Sequence, residues 1–368
     1  MDTYYARFLL AHHAAHPELA SSSYDDQLAA LMAAWMGTSD AYSNGLGALG
    51  HVAVELVTND AALHRAWARE HGPTVPRGTA IPGPVGAVAR RVLAARVLGA
   101  QLDAFAPDVV YVQDMFALTR RQLDAQRARG RMVAGQIASP PPAAERLQGY
   151  DLIVTSFPHF VARFEAQGVR SAYLPLAFDE RLLAELPAGE PPEHQVVFVG
   201  GVGARGHAAG TALLERLSTR LPLEVWGYGA EQLRPGSPLR ERHRGEAWGL
   251  EMLRVLARSR VCLNRHIDVA GGHANNMRMF EATGAGTLLC TEAAPNLSEL
   301  FTPGREVLAY EDEDDLVEQV GATLEDEPGR RRIAAAGHAR TLGEHTYARR
   351  MAELAELLER VRAERRGV

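Results

Sequence analysis

The sequence predicts an α/β fold of two domains, in which short parallel strands alternate with helices. The chain has 368 residues, which is enough for two domains of ~150 residues each. Its composition, with 46% hydrophobic and 23% charged residues, is ordinary for a globular protein and excludes a disordered chain, a collagen or a coiled-coil rod. Short apolar runs alternate with longer segments of helical periodicity, a pattern typical of α/β proteins.

The first half of the chain contains apolar runs of strand length. They predict strands at residues 7–10, 51–57, 108–113, 132–137, 152–155 and 172–175. Helical periodicity in the intervening segments predicts helices over residues 24–35, 61–70, 85–105 and 118–128. A stretch rich in Pro, Gly and Glu follows at residues 186–194, and this composition is typical of an interdomain linker.

A second α/β series follows this stretch. Its predicted strands are residues 196–200, 223–226, 261–264, 287–291 and 306–309. Its predicted helices are residues 210–220, 249–257 and 275–283, and the chain is helical after residue 315 apart from a break near Gly343. The last helix carries an apolar stripe at steps of four and three residues: Tyr347, Met351, Leu354, Leu358 and Val361. We expect this stripe to pack on one or both α/β domains.

The charge composition limits the functions that this chain can have. There is no Lys, so all 39 basic residues are Arg, and with 45 Asp and Glu the net charge is −6. An acidic chain without a basic tract is not expected to bind nucleic acid non-specifically. Lysine chemistry is excluded as well, so any phosphate must be bound by Arg, by a helix N-terminus or by neutral donors.

Hydropathy and cysteine usage indicate a cytoplasmic protein. No apolar stretch approaches the ~18 residues that a membrane helix needs, and the apolar patch at residues 8–11 is too short for a signal peptide. Cys262 and Cys290 cannot form a disulfide framework, or a cysteine zinc site alone. Both lie in strand-like runs, so we expect buried thiols in a reducing compartment.

A glycine-rich motif stands between a predicted strand and a predicted helix. Gly201, Gly203 and Gly206 match G-x-G-x-x-G, which lets backbone amides approach a phosphate at a helix N-terminus. A dinucleotide site also needs an acidic residue at the end of the next strand, and that strand instead ends in Trp-Gly-Tyr. Three interpretations remain: an NAD site, a tight turn without ligand, and a phosphate-binding loop of another kind. We favour the third, in which Arg205 and His207 donate to the phosphate.

A denser group of polar residues surrounds the helix predicted at 275–283. Asn264 and His266 follow a strand, and either of the adjacent residues Asn275 and Asn276 can cap the helix. Arg278 and Glu281 are three residues apart and therefore share a helix face. An Arg near a helix start suits a diphosphate, and a carboxylate one turn later suits a ribose diol. The alternative is an ion pair on a solvated face, but the surrounding amides and glycines favour a binding site.

Several segments together resemble a known enzyme family. They are FVGGV, LNRHIDVAGGHANNMRMFEATGAGTLLCTEAAPNLSELFTPGREVLAYEDEDDLVEQV and IAAAGHARTLGEHTYARRM, with a weaker similarity in PDVVYVQD and YDLIVTSFPHFVARFEAQGVRSAYLPLAFD. These segments resemble the CgeB-like glycosyltransferases, of the family-one/family-four type with the GT-B fold. The resemblance implies two Rossmann-like domains that face a cleft: an acceptor-binding domain at 1–185 and a nucleotide-sugar-binding domain at 186–345. It also implies that a C-terminal helix at 346–368 crosses back to the first domain.

The resemblance also implies roles for individual residues. Glu281 resembles the glutamate that holds the donor ribose. Arg278 and the backbone amides of Asn275, Asn276 and Met277 resemble the diphosphate-binding helix start of such enzymes.

Further donor contacts are implied by position. Trp248 could flank the base, and His207 matches a histidine of the glycine-rich loop. The family pattern often has an Arg three residues after that His, whereas this chain has Gly210, and Arg205 is the candidate replacement. The remaining donor-binding candidates are Gly201, Gly203, Asn264, His266 and His273.

GT-B enzymes generally act without a metal ion, and we expect neither a metal nor a tightly bound cofactor. Asp312 and Asp314 could form an Asp-x-Asp metal motif, but we favour an acidic helix start with Asp as the N-cap. His12 and His16 have a zinc-like spacing, yet no third ligand is apparent, and a loop facing the acceptor is favoured.

The candidates for an acceptor-side base all lie in the first half of the chain. They are His12, His13 and Asp114, which follows a predicted strand at its carboxyl end. A structural cap is the alternative for Asp114.

The sequence therefore predicts a metal-independent glycosyltransferase that uses a nucleoside-diphosphate sugar, with a UDP-sugar favoured. The acceptor is a small molecule, a glycan or a protein, and the chain is a possible homo-oligomer. Three alternatives stay open: a nucleotide-sugar epimerase on the same fold, an inactive protein that binds sugar nucleotides, and an NAD-dependent dehydrogenase.

Overall fold

The computed structural model describes residues 1–187, 189–203 and 207–367. The chain divides into two compact units. The first unit comprises Met1–Leu174 together with the C-terminal residues from Leu354 onward, and the second comprises Pro175–Glu353. The Pro-rich stretch at residues 186–194 lies inside the second unit.

The first unit is built on a four-stranded parallel sheet with the order β1-β2-β3-β4. Its strands are β1 (Val109–Val112), β2 (Met132–Ile137), β3 (Leu152–Thr155) and β4 (Ser171–Tyr173). Its helices are α1 (Ala6–Ala15), α2 (Tyr24–Met32), α3 (Ala41–Ala48), α4 (Ala61–His71), α5 (Gly83–Phe105), α6 (Arg120–Ala128), α7 (Ala144–Leu147) and α8 (Pro158–Glu165). Strand β3 is buried along its whole length, as expected for a parallel sheet that is covered on both faces.

Two of the predicted strands are wrong. Residues 7–10 belong to helix α1, in which Phe8, Leu9 and His12 form the buried face. Residues 51–57 form no strand, and only Val57 makes an isolated bridge, to Asp2. A short apolar run fits either a strand or one face of a helix. The spacing of the buried residues shows that the run at residues 7–10 belongs to the buried face of a helix.

The second unit is built on a five-stranded parallel sheet with the order β6-β5-β7-β8-β9. Its strands are β5 (His194–Val199), β6 (Leu223–Trp226), β7 (Ser259–Asn264), β8 (Leu288–Glu292) and β9 (Leu308–Tyr310). Its helices are α9 (Ala208–Leu217), α10 (Leu239–Arg242), α11 (Gly249–Ala257), α12 (Met277–Gly284), α13 (Leu297–Leu300), α14 (Glu313–Glu325) and α15 (Glu327–Glu344). The strand order reverses between β5 and β7, and ligands of open α/β sheets bind at the carboxyl ends of the strands at such a point.

Both cysteines lie in the middle of this sheet. Cys262 is on β7 and Cys290 is on β8, and both are free, fully buried thiols, as predicted. Burial raises the pKa of the Cys262 thiol to about 12 and also raises that of Cys290. Neither thiol is therefore available as a nucleophile near neutral pH.

The last helix, α16 (Tyr347–Arg366), begins in the second unit and ends in the first. All five residues of the predicted apolar stripe are buried, which confirms that the stripe faces the protein interior. Near its end, Arg362 pairs with Asp108 and Arg365 pairs with Asp151, and these carboxylates directly precede β1 and β3. The Arg362–Asp108 pair is largely exposed and contributes little stability, so burial of the apolar stripe contributes more to holding α16 in place.

None of the described helices is both long and apolar enough to cross a membrane.

A buried histidine holds α16 against the end of α13. His345 is only 4% exposed, and its ring packs against Phe280 and Phe301 at centroid distances of 5.2 and 5.3 Å. Its Nε2 lies 2.8 Å from the Leu300 carbonyl oxygen, and the Arg350 guanidinium lies 2.9 Å from its Nδ1. A neutral imidazole satisfies both contacts, with Nε2–H as donor and Nδ1 as acceptor. Burial lowers the pKa of His345 to about 4.

We predict that His345 makes the second unit sensitive to mild acid. Between pH 6.5 and about 4 the unfolded chain binds the proton that the folded state excludes. The free energy of unfolding therefore falls with falling pH, by up to ~1.4 kcal/mol per pH unit for this group. Denaturant unfolding across this range should show a shallower pH dependence for His345→Gln than for the wild type or for the exposed-residue control His51→Gln. Identical slopes would contradict the assignment.

Candidate functional site

The candidate site lies at the carboxyl edge of the five-stranded sheet, where the loops after β5 and β6 run side by side. The Gly200 amide donates to the Trp226 carbonyl oxygen at 2.9 Å, so backbone pairing continues past the ends of the strands. Gly227 and Gly229 have φ angles of +142° and +96°, and a Cβ atom on either would overlap a carbonyl oxygen of the β5 loop. These two glycines allow the loops to approach each other, and no local sequence pattern indicates this role.

Three rings form a wall beside the glycine-rich loop, and we call His207, Tyr228 and Trp248 the aromatic wall. The Tyr228 and Trp248 rings are stacked, with centroids 5.7 Å apart and planes 3° from parallel. His207 Nε2 lies 3.3 Å from the Tyr228 hydroxyl. A Cβ atom on Gly201 would lie 2.5 Å from His207 Nε2 and 2.8 Å from Tyr228 Cζ, so the wall closes directly over this glycine.

For the rest of the glycine-rich loop, the structure describes the residues up to Gly203 and those from His207 onward. The Gly203 amide donates to Thr211 Oγ1 at 2.9 Å, which ties the loop to the first turn of α9. Gly203 has a φ of +110°, a conformation that favours glycine. Arg205 and Gly206, both singled out in the sequence, lie outside the described residues.

Arg278 and Glu281 form a mostly buried ion pair on α12. The pair joins Arg278 Nη1 to a Glu281 carboxylate oxygen at 2.8 Å, and the two side chains are only 16% and 12% exposed. Arg278 Nε also donates to the Val199 carbonyl oxygen at 3.2 Å, and Nη1 lies 2.8 Å from Met252 Sδ. The ion pair of the alternative interpretation is therefore present, but its helix face is mostly shielded from solvent and not solvated. Arg278 donates to protein acceptors and fixes the Glu281 carboxylate close to the end of β5.

Asn264 and Asn276 brace the segment between β7 and α12. Asn276 is the N-cap of α12, and its side-chain oxygen accepts from the Met279 amide at 3.2 Å. Its amide nitrogen donates to Asn264 Oδ1 at 2.8 Å and to the Arg265 carbonyl oxygen at 3.0 Å. Asn264 in turn donates to Thr291 Oγ1 at 2.9 Å. These amides set the position of the α12 N-terminus, and Met277 is the first residue of that helix.

His266 and Asn275 belong to the same buried network. The Asn275 amide donates to His266 Nδ1 at 3.4 Å, and His266 Nε2 lies 3.2 Å from Thr291 Oγ1. Burial lowers the pKa of His266 to about 4, so its ring is neutral near pH 7. His273 lies at the end of the loop, with Nδ1 3.2 Å from the Ala270 carbonyl oxygen.

Arg265 is a cation of the site that sequence reasoning missed. A Cβ atom on Gly210 would lie 3.5 Å from Arg265 Nη1, so this guanidinium covers the first turn of α9. It forms loose ion pairs with Glu292 and Asp268, both at 3.3 Å, and is 29% exposed. No local sequence pattern connects Gly210 in α9 with Arg265 after β7, and only the fold brings them together.

A pocket of about 430 Å³ opens beside Arg265 and the predicted donor-binding residue His266, which both line it, at the carboxyl ends of β7, β8 and β9. It does not coincide with the aromatic wall or with Glu281. Its charged lining residues are Arg216, Arg265, Asp268, Glu292, Glu311, Asp312 and Glu313. The carboxylates outnumber the guanidiniums, so this pocket suits hydroxyl or ammonium groups and disfavours a diphosphate.

Asp312 serves as the N-cap of α14, since its side chain accepts from the Asp315 amide at 3.0 Å. This confirms the predicted acidic helix start. Within residues 1–187, 189–203 and 207–367, no group of three His, Cys, Asp or Glu side chains is arranged to hold a metal ion.

In the first unit, the three predicted base candidates have different surroundings. His13 Nε2 lies 2.9 Å from the Asp60 carboxylate, and this partner raises the pKa of His13. His12 is buried, its Nε2 has no hydrogen-bond partner among the described residues, and burial lowers its pKa. Asp114 accepts from the Phe116 amide at 2.8 Å and thereby caps a turn. Only His13 therefore has the carboxylate partner that general bases commonly use.

Comparison with known proteins supports the fold and part of the predicted family. Residues 208–356 match the family model described as glycosyl transferase-like, so the second half of the chain contains a glycosyltransferase-like domain. No curated protein matches the chain.

Solved structures match over most of the chain. HepE from Anabaena, solved with UDP-glucose, is 16% identical, with a TM-score of 0.58 over 82% of this chain and 90% of that one. A glycosyltransferase from Rickettsia africae is 10% identical, with a TM-score of 0.58 over 88% and 95%. Sucrose-phosphate synthase from Thermosynechococcus elongatus is 14% identical, with a TM-score of 0.53 over 75% and 79%. At these identities the likeness shows the fold, and the predicted GT-B fold is confirmed.

We predict that Gly201→Ala disrupts the aromatic wall. The new methyl group collides with His207 and Tyr228, and overpacking of this kind destabilises by ~1–3 kcal/mol. Denaturant unfolding should show this loss, together with a changed near-ultraviolet circular dichroism signal from the stacked Tyr228–Trp248 pair. Gly321→Ala is the control, because a Cβ atom at that position in α14 meets nothing within 4 Å. Wild-type stability and spectrum in Gly201→Ala would contradict the packing described.

Proposed function

We propose that the protein is a glycosyltransferase, of the CgeB-like type, that transfers a hexose from a UDP-sugar to an acceptor hydroxyl. One observation carries the proposal. The mostly buried Glu281 carboxylate is held by Arg278 beside the switch point of the parallel sheet, inside the segment that matches a glycosyl transferase-like model. The structural neighbour HepE, solved with UDP and with UDP-glucose, supports a uridine nucleotide as the donor.

Each part of the donor is assigned to a different part of the site. The base packs against Trp248 of the aromatic wall, and the ribose hydroxyls donate to Glu281. The diphosphate lies over the glycine-rich loop, between the amide groups at the starts of α9 and α12. Two helix N-termini that face the same anion stabilise it through their unpaired amides and their dipoles.

The diphosphate also needs a positive charge, and the chain has no Lys to supply one. Arg278 donates to Glu281 and to the Val199 carbonyl oxygen, so we assign it a positioning role. Arg265 covers the first turn of α9 beside Gly210, with a partly exposed guanidinium whose ion pairs are loose. We therefore assign Arg265 as the cation that contacts the diphosphate, in place of an Arg at position 210.

These assignments define the chemical step. The bond between the anomeric carbon and the β-phosphate oxygen breaks, and its electron pair stays on the departing UDP. Arg265, His207 and the two helix N-termini stabilise the developing negative charge, so the proposal requires no metal ion. The acceptor oxygen forms the new glycosidic bond and releases its proton. We propose His13, held by Asp60, as the base that receives this proton in the first unit.

We predict that UDP raises the melting temperature of the wild type and that two substitutions abolish the shift. A ligand at a hundredfold excess over its dissociation constant stabilises by ~2.7 kcal/mol. Glu281→Gln removes the charged ribose acceptor, and Arg265→Ala removes the diphosphate cation. Each shift is measured against the same variant without UDP, because both substitutions also change intrinsic stability.

The matched controls are Glu251→Gln and Arg216→Ala. Glu251 forms the corresponding i,i+3 pair with Arg254 on α11, and Arg216 pairs with Glu313 at the other end of α9. Both controls should keep the UDP shift. A shift that survives in Glu281→Gln would exclude the assigned site. A shift with NAD instead of UDP would overturn the proposed function.

We predict that donor hydrolysis rises with pH through the raised pKa of His13, above 6.5. Water replaces the unidentified acceptor in this assay, and UDP release from a UDP-sugar is measured. Asp60→Asn keeps the N-cap of α4 but removes the charge that raises the His13 pKa, so the rising limb should move to lower pH. His13→Gln should lose the limb. An unchanged profile in both variants would show that His13 is not the base.

A further inference from the structure

The first unit carries a basic and apolar surface that neither the core nor the candidate site uses. Residues 71–102 contain Arg77, Arg90, Arg91 and Arg96 but no Asp or Glu, in a chain whose net charge is −6. This segment comprises the loop after α4 and most of α5. Because it lacks Asp and Glu, this segment of an acidic protein carries a net positive charge.

Exposed aliphatic side chains form a stripe along this segment. Val85, Val88 and Val92 are 67%, 60% and 39% exposed and lie three or four residues apart on α5, so they share one face. Ile81 is 52% exposed, and its Cδ1 and Val85 Cγ1 both lie within 4 Å of the Cβ position at Gly78, so it extends the stripe. We call these four residues the α5 stripe.

The opposite face of α5 belongs to the core. Ala89, Leu93 and Val97 are buried, and α5 packs on α4. The helix therefore has enough apolar contact to be stable in the folded unit without the α5 stripe. Two apolar faces on one helix mean that the exposed face serves something other than the core.

Arg side chains lie beside the α5 stripe, and residues 71–102 contain no carboxylate side chain that would neutralise their charges. Arg91 and Arg96 are exposed and flank the α5 stripe on its two sides in a helical projection. Arg96 donates to the Thr74 carbonyl oxygen at 3.0 Å, and Arg90 donates to the Thr79 and Ile81 carbonyl oxygens at 3.2 Å. These bonds fix the loop against α5, with Arg96 exposed at the surface and Arg90 half-buried.

We propose that the α5 stripe and its flanking Arg residues dock on the surface of an anionic lipid bilayer. Short aliphatic side chains enter the boundary between headgroups and acyl chains, while guanidiniums on both sides contact the lipid phosphates. Residues 71–102 contain no Asp or Glu, so an anionic surface does not repel this segment as it repels the acidic remainder of the chain. A protein partner is less suited, because the stripe offers no Trp or Tyr anchor of the kind that dominates protein interfaces. The proposal is independent of the proposed enzymatic function.

The test is co-sedimentation of the full chain with two kinds of vesicle. One kind contains phosphatidylcholine alone, and the other also contains about one third phosphatidylglycerol, which makes its surface strongly anionic. We expect binding to the anionic vesicles only. Val88→Asp should abolish it, and the double variant Arg91→Gln and Arg96→Gln should weaken the partition coefficient on the order of thirtyfold. Added salt should weaken binding as well.

Matched controls separate docking from general surface effects. Val52→Asp introduces the same change at a valine of the first unit that is fully exposed, and Arg332→Gln with Arg349→Gln removes two exposed charges from the second unit. Both controls should bind like the wild type. Val85→Asp provides a second stripe variant, and melting temperatures verify that every variant is folded.

Three results would overturn the proposal. The first is no binding to anionic vesicles, and the second is equal binding by Val88→Asp, Val85→Asp and the wild type. The third is self-association in solution that Val88→Asp abolishes without any vesicle binding, because the stripe would then be an interface between copies of this chain.

Discussion

The candidate site depends on one side chain, the Arg278 guanidinium, which donates to the Val199 carbonyl oxygen and pairs with the Glu281 carboxylate. It joins the first turn of α12 to the last residue of β5, the strand at which the sheet order reverses. An Arg and a Glu that are both largely buried would each be costly alone, and the pair is tolerated because each satisfies the other. The same bonds hold a carboxylate at the position where a nucleotide ribose is expected.

The glycines of the two neighbouring loops provide the second constraint. Gly227 and Gly229 let the loops after β5 and β6 pair along their backbones, and this pairing brings Tyr228 next to Gly201 and Trp248. Side-chain size at these positions therefore controls whether the aromatic wall can form. Without Lys, the chain must provide positive charge through Arg and helix N-termini, and Arg265 beside α9 does this with a residue from a different loop.

The sequence predicted the parallel sheets well, because buried parallel strands are short apolar runs bounded by turn residues. The strand at residues 152–155 has the predicted bounds, whereas residues 7–10 form a helix, since so short an apolar run fits either structure. The Arg278–Glu281 pair followed from helical spacing. Tyr228 and Arg265 did not, because their contacts join residues that are distant in sequence and carry no local pattern.

A crystal structure of the protein with UDP tests the central claim most directly. We expect the ribose hydroxyls to lie within hydrogen-bond distance of the Glu281 carboxylate, with the uracil against Trp248 and the diphosphate beside Arg265. A nucleotide found in the carboxylate-lined pocket between Asp268 and Glu292, or anywhere on the first unit, would contradict it.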